Sequence, residues 1–175
     1  GSRGMGKAIA IHLSREGVKV CLVARDAEVL AETEAEIGSM SDTPVMTIAG
    51  DVSDPWLAER AVKTVEDAWG QVDILINNGG GPAMGSFLDH DDEAWLAALQ
   101  LNLLSTVRFT KACVPGMKNR QWGRIVNITS SLAKEPSAPM VLSATARAGV
   151  SAFSKSVSHE LAVDNITINT ILPGG

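Results

Sequence analysis

The sequence predicts an α/β fold: a doubly wound, mainly parallel sheet within a single domain spanning residues 1–175. Two features carry that expectation. Short, nearly continuous apolar runs alternate with longer amphipathic stretches, the pattern of strands buried on both faces and joined by right-handed helical crossovers. No internal repeat, low-complexity tract or Pro/Ser-rich linker interrupts the alternation. A sheet of this kind carries its ligand at the carboxyl ends of its strands, so the loops after the strands are where chemistry is expected.

The elements follow in order. Met5 to Glu16 reads as a helix with Ile9, Ile11 and Leu13 on its apolar flank, stopped by Gly17. Val18–Ala24 reads as a buried strand, Ala27–Gly38 as a helix and Pro44–Ala49 as a strand. Asp54 opens a third helix, with Pro55 in its first turn, where a missing N–H is harmless. That helix runs to Trp69 and ends at Gly70. Asp73–Asn77 is a strand, and a glycine-rich loop over 79–85 leads to a long helical region over 91–118, with Pro115 as a break point. Gly123–Ile128 is a strand, Ser143–Val163 a helix and Thr167–Leu172 the last strand. The opening helix has no strand before it and the closing strand no helix after it. The displayed chain therefore reads as a fragment lacking the first strand and the C-terminal end.

Composition excludes several classes. The formal net charge of −5 and a pI near 5.2 offer no basic field for nucleic acid or an anionic membrane. No apolar run approaches the ~20 residues of a membrane helix. Cys21 and Cys113 lie in apolar runs and read as buried thiols of a reducing compartment, which points to the cytoplasm. His12, His90 and His159 show no metal-ligand spacing, so no metal is expected, and His159 reads as a surface residue.

The turn Gly1-Ser2-Arg3-Gly4-Met5-Gly6 precedes the first helix. Closely spaced glycines there let the backbone approach a pyrophosphate, and the helix start offers free N–H groups. A plain helix cap is an equally good reading of this turn alone. Spacing along the rest of the chain adds to it. The chain resembles the short-chain dehydrogenase/reductase family, which has a Rossmann fold, over essentially its whole length. Gly4 and Gly6 match the second and third glycines of that family's TGxxxGxG turn, and Gly50-Asp51-Val52 its adenine-contacting aspartate. Asn77-Asn78-Gly79-Gly80 matches NNAG with glycine for alanine, and Asn102 the asparagine of the fourth long helix. Ser130, closing NITS, matches the catalytic serine, and Pro173-Gly174 the pair after the last strand. The resemblance thus implies a nicotinamide cofactor held by Ser2, Arg3, Gly4, Met5, Gly6, Asp51, Val52, Asn78, Gly79, Gly80, Pro173 and Gly174.

Cofactor choice follows from charge. An enzyme preferring NAD usually places an acid where the second strand ends, to hold the ribose 2′-hydroxyl. Here that position is Ala24, followed by Arg25, while Arg3 sits in the glycine turn. Two guanidiniums suit a 2′-phosphate, so NADP(H) is expected. The plainer alternative has Arg25 solvating a strand end and Arg3 pairing with a surface acid.

One departure matters most. The family's Tyr-x-x-x-Lys lies about thirteen residues after the serine; Ser143 and Arg147 occupy those places, and the chain contains no tyrosine. A serine hydroxyl donates a hydrogen bond but is a poor acid, and arginine stays charged at neutral pH. Ser130 and Ser143 are expected to orient a carbonyl, with Arg147 stabilising an oxyanion and holding the nicotinamide ribose. Lys134, partly desolvated near that arginine, is the nominated proton source, against the plainer reading of a solvated loop lysine. NNGGGP over 77–82 and the Ser/Arg pair resemble a divergent branch of the family labelled 3-oxoacyl-(acyl-carrier-protein) reductase.

The leading reading is an NADP(H)-dependent oxidoreductase acting on a small-molecule ketone or alcohol, with 3-oxoacyl thioesters among the candidates. The competing reading is an NADP(H)-binding sensor or scaffold without turnover. The resemblance also implies a homo-dimer or homo-tetramer packed through the helices at 91–118 and 143–163.

Overall fold

The computed structural model describes residues 1–174; Gly175, the last residue of the expected domain, lies outside the described residues. Backbone contacts gather into two compact units, Gly1–Leu57 and the chain from Ala58 onward.

In the first unit helix α1 (Gly4–Arg15) precedes strand β1 (Val20–Ala24), helix α2 (Ala27–Met40) and strand β2 (Val45–Ala49). The strands pair in parallel from Val20–Val45 to Ala24–Ala49. Strand β1 begins two residues later than the apolar run suggests, because the Val18 amide turns back to the Leu13 carbonyl at 3.1 Å. Gly17 makes that reversal at φ +79°, a backbone angle that favours glycine. Leu30, Thr33 and Ile37 form one buried stripe of α2 at helical spacing. Leu30 and Ile37 close with Ala10, Val20 and Leu22 into the unit's core. The Thr33 hydroxyl is satisfied inside this core, donating to the Val29 carbonyl (2.8 Å) and the Ser2 carbonyl (3.2 Å).

Helix α3 (Leu57–Trp69) starts three residues after the expected Asp54. The Asp54 carboxylate accepts the Trp56 amide at 2.9 Å, a side-chain turn that postpones the helix.

In the second unit strands β3 (Ile74–Asn78), β4 (Gly123–Ile128) and β5 (Ile166–Ile171) form a parallel sheet in the order β3-β4-β5. Leu75 lies opposite Ile125 and Ile125 opposite Ile168, a buried apolar row across the three strands. The expected mainly parallel sheet is thus present as two parallel sheets, since no described strand pairs with both β1 and β3. Helix α4 (Asp92–Leu99) is capped by the Asp91 carboxylate on the Ala94 amide, at the residue where the expected helical region begins. A π-helical turn at Gln100–Leu104 then joins it to α5 (Ser105–Arg120). The expected break at Pro115 does not occur; the proline forfeits one N–H bond inside α5, and the irregularity sits at the π turn instead. Helix α6 (Val141–Ala162) packs against β5, and α5 against β3 and β4.

A polar thread crosses this core. The Asn77 amide donates to the Asn127 side-chain oxygen and the Asn127 amide to the Ser154 hydroxyl, each at 2.8 Å. It joins β3, β4 and α6 and leaves Asn127, which is 1% exposed, with its amide satisfied. The two cysteines are free; burial pushes the Cys21 thiol up to about 11, and burial with the nearby Glu66 carboxylate pushes Cys113 up to about 12. Cys113 is buried as expected, whereas Cys21 is half-buried.

At Gly123 a Cβ would stand 2.4 Å from the Met117 sulfur and 2.9 Å from its Cβ, and Met117 is fully buried. Gly123→Ala is therefore expected to lower stability by about 1–3 kcal/mol through overpacking, read as a depressed melting temperature by circular dichroism.

Candidate active site

In the first unit the glycine turn becomes the N-terminus of α1. Gly4 takes φ +52° with no atom within 4 Å of where its Cβ would lie, so its conformation, not crowding, calls for glycine. Arg3 is the N-cap of α1, and no side chain caps that end, which leaves the first N–H groups available to an anion. Ser2 is buried, its carbonyl fastened to Thr33, while Met5 is exposed and Gly6 half-buried. Gly50 follows β2, its amide donating to the Ala24 carbonyl at 2.9 Å. A Cβ on Gly50 would come within 2.6 Å of Leu57, so only glycine fits this approach without displacement. Asp51 is exposed with its carboxylate on the Ser53 amide, and Val52 is half-buried beside it.

The two arginines differ. Arg3 reaches the Asp26 carboxylate at 3.1 Å, the surface pairing that the plainer alternative allowed. Both partners are exposed, so water and salt screen the pair. Asp26 is doubly engaged, because its other oxygen caps α2 on the Val29 amide at 3.1 Å. Arg25 is exposed at the end of β1 and has no ion pair among the described residues.

In the second unit the strand ends carry the polar groups. Ser130 stands extended just beyond β4, half-buried, its hydroxyl accepting the Leu132 amide at 3.3 Å. Its neighbours are tied to the end of β5 and the segment beyond: the Thr129 amide donates to the Ile171 carbonyl (2.8 Å) and the Ser131 amide to that of Pro173 (2.9 Å). Pro173 is half-buried and Gly174 exposed. Asn78 ends β3 half-buried; Gly79, also half-buried, and exposed Gly80 follow. A Cβ on Gly79 would lie 3.1 Å from the Asn102 side-chain oxygen and 3.4 Å from the Leu101 carbonyl. The π turn that carries Asn102 therefore presses on the position where the family motif has alanine. Asn102 is buried, and its amide nitrogen finds no partner among the described residues.

Ser143 and Arg147 are both buried on α6, 3% and 9% exposed. The Arg147 Nε donates to the Ser143 hydroxyl at 3.1 Å. One terminal nitrogen donates to the carbonyls of Thr129 (2.9 Å) and Ile128 (3.4 Å), and the other to those of Gly80 (3.3 Å) and Gly79 (3.5 Å). These carbonyls are missing from a motif reading, since nothing in a residue's type says where its backbone oxygen points. Burial lowers the Arg147 pKa, yet no carboxylate pairs with the guanidinium among the described residues. Lys134 does not meet the expectation placed on it: it is exposed, so the desolvation that would make it a proton donor is missing. His159 is exposed, as expected. Among the described residues no group of three His, Cys, Asp or Glu gathers to hold a metal.

A cavity of about 770 Å³ opens alongside, lined by Phe87, Leu132, Pro136, Pro139 and Val141 with Ser86, Ser137 and Thr145. None of its lining side chains is charged. It flanks both serines in sequence, through Leu132 after Ser130 and Ala144 after Ser143. The sequence hints at it only through the apolar, proline-bearing stretch between the serines.

The family model described as short chain dehydrogenase matches residues 1–175. The chain belongs to the short-chain dehydrogenase family. Among curated relatives, the 3-oxoacyl-(acyl-carrier-protein) reductase FabG of Vibrio cholerae is 34% identical over 173 residues, covering 99% of this chain and 69% of the relative. Carbonyl reductase family member 4 of Xenopus laevis is 31% identical over 174 residues, covering 99% and 72%. Among solved structures, L-sorbose reductase from Gluconobacter frateurii complexed with NADPH and L-sorbose aligns with a TM-score of 0.95 at 32% identity. It matches 99% of this chain, which spans 66% of that one. An NAD⁺-bound xylitol dehydrogenase aligns with a TM-score of 0.94 at 26% identity, with the same two coverages. The α/β architecture of this short-chain dehydrogenase and its all-parallel strand pairing agree with the fold expected from its sequence.

Asp26 and Arg3 offer a contrast in kind. Asp26→Ala removes a helix cap and is expected to cost about 1 kcal/mol, whereas Arg3→Ala loses only a screened surface pair and should leave the urea midpoint nearly unchanged. Equal effects in urea titrations would show that the ion pair, not the cap, holds this corner.

Proposed function

We propose that this short-chain dehydrogenase is an NADP(H)-dependent oxidoreductase of the cytoplasm that interconverts an apolar ketone and its alcohol, 3-oxoacyl thioesters included. The observation that carries the reading is the buried Ser143–Arg147 pair, which sets an uncompensated positive charge at the carboxyl ends of β3 and β4. Such a preorganised charge favours oxygen as it becomes anionic, and a dry surrounding strengthens the effect.

The residues present suit the cofactor. Gly4, the uncapped start of α1 and the close approach at Gly50 suit a dinucleotide, and the unpaired Arg25 suits a 2′-phosphate. Bound NADPH would supply hydride. Ser2, Arg3, Met5, Gly6, Asp51 and Val52 are assigned to cofactor binding with them, as are Asn78, Gly79, Gly80, Pro173 and Gly174 of the second unit. Ser130 and Ser143 orient the carbonyl by hydrogen bonds to its oxygen. With Lys134 in solvent, the proton that completes the alcohol comes from water. The buried, unpartnered Asn102 amide would hold such a water. The uncharged and mostly apolar lining of the cavity supports a largely apolar, neutral substrate body, because a carboxylate placed there would lose hydration without meeting a charged partner. Exposed Leu96 and Leu104 support association through the helical region expected to pair copies of the chain.

NADPH is expected to bind at least tenfold more tightly than NADH, about 1.4 kcal/mol, and Arg25→Asp to erase or reverse the preference. Fluorescence titration measures both, and equal affinities in the parent protein would remove the argument.

Ser130→Ala should lower kcat far more than it weakens NADPH binding, because its hydrogen bond matters most as charge develops on oxygen. Steady-state rates on a panel of neutral ketones, polyols and keto acids test the substrate class. Turnover confined to polyols would sink it.

A further inference from the structure

Arginine has five N–H donors and no acceptor. In Arg147 all five are directed at an oxygen of the protein: the Ser143 hydroxyl and the carbonyls of Ile128, Thr129, Gly79 and Gly80. No donor is left for a ribose hydroxyl or a substrate oxygen, which the sequence reading had assigned to this side chain. Two of the four carbonyls, of Gly79 and Gly80, lie in the loop leaving β3; the other two are those of Ile128, which ends β4, and of Thr129, which follows it. A single side chain fastens both strand ends.

The Ser143 side completes the picture. Its oxygen accepts from the Arg147 Nε, so its own proton must point away from the guanidinium. That hydroxyl donates to no acceptor among the described residues, although Ser143 is 3% exposed. A buried hydroxyl with its lone pair engaged and its proton uncommitted is an oriented donor awaiting an acceptor.

We propose that Arg147 is a positioning residue: it clasps the Gly79–Gly80 loop to the end of β4 and turns the Ser143 proton toward the substrate oxygen without touching substrate or cofactor. The proposal rests on the ketone-reductase reading of the same site. It deepens that reading by making the Ser143 contact the route through which the charge of Arg147 acts.

The pair contains no group that titrates near neutral pH, since serine and arginine both ionise far above it. Titratable groups on the elements packed against α6 are few. Lys134 and Glu135 follow Ser130, and Asp92 and Glu93 open α4; all four are exposed. On α6 itself the first titratable residue beyond Arg147 is Lys155, also exposed.

The experiment is kcat against pH from 6 to 9.5, at saturating NADPH and ketone, for the parent, Arg147→Lys, Ser143→Ala and the double variant. The parent profile is expected to be flat within about twofold. Lysine keeps the charge and a donor, but a buried amine titrates below its usual ~10.4. Its protonated form holds the Ser143 oxygen and its neutral form releases the charge. Arg147→Lys should therefore fall in kcat as pH rises, at least fivefold across the range, with little change in KM. In the Ser143→Ala background the same exchange should no longer change the shape of the profile. A clasp that served stability alone would lower the melting temperature of Arg147→Lys and leave its profile flat, which would overturn the proposal. An inflection in the parent between pH 6.5 and 9 would do the same.

A measurement independent of turnover accompanies these. The Arg147 Nε–H resonance, protected by burial, is expected to shift and to exchange faster in Ser143→Ala, a variant that keeps all four carbonyl contacts. An unmoved resonance overturns the positioning role. A moved resonance in a protein that reduces no ketone supports the Ser143 pairing and instead overturns the reductase reading on which the proposal rests.

Discussion

The second unit is organised around one buried cation. Arg147 lies under two strand ends, and its charge is met by four carbonyl dipoles and a hydroxyl, with no carboxylate among the described residues. A guanidinium removed from water is tolerated only when every N–H finds an acceptor, so the loops after β3 and β4 must present their carbonyls together. That requirement runs one way. Moving either loop leaves a buried charge under-solvated, and the loops are held to the geometry that the charge demands.

Other features of the unit fit around this constraint. The Gly79 backbone meets the π turn closely enough that its missing side chain matters, with Asn102 on the far side of the contact. The π turn in turn spends its own carbonyls locally: the Asn102 carbonyl accepts the Thr106 hydroxyl at 2.8 Å and the Leu101 carbonyl the Ser105 hydroxyl at 2.6 Å. Beneath the strand ends, Asn127 joins the strands to α6 through amide hydrogen bonds in place of apolar packing. A half-made network at that depth would be costly, which ties the alignment of β3, β4 and α6 to the satisfaction of one amide.

Replacing tyrosine and lysine by serine and arginine changes what the site can do. A phenol beside an amine is an acid with an adjustable pKa. A hydroxyl beside a guanidinium is a donor of fixed protonation beside a fixed charge. Under the proposed function, such an arrangement exchanges proton transfer for orientation and field, and leaves proton delivery to solvent. The uncharged cavity next to it is consistent with that division, since it adds no acid or base of its own.

Much of the fold was legible in the chain, for identifiable reasons. GRIVNI reads as a strand because six residues of a buried parallel strand need a nearly unbroken apolar run, and β4 has those limits. The helical region expected from residue 91 does begin there, where the Asp91 carboxylate satisfies an amide three residues on, a local interaction. The serine at 143 and the arginine at 147 were legible as a pair because four residues is one helical turn. Element limits moved where side-chain periodicity does not specify the turn that the backbone takes. Val18 was drawn into the end of α1, Asp54 delayed α3, and the helix irregularity appeared at the π turn instead of Pro115. For Arg147, type and spacing imply a charge near the substrate and say nothing of the four carbonyls, at the ends of two parallel strands, that its terminal nitrogens reach. Lys134 is nominated for its place in the loop between Ser130 and Ser143, near the arginine, yet the loop carries it into solvent. The sequence by itself determined which residues form strands, helices and glycine turns, because those follow from side-chain periodicity and local capping. Only the tertiary structure decided which polar atoms are spent on holding the fold and which remain for chemistry, because a hydrogen bond is fixed by where distant backbone places its acceptor.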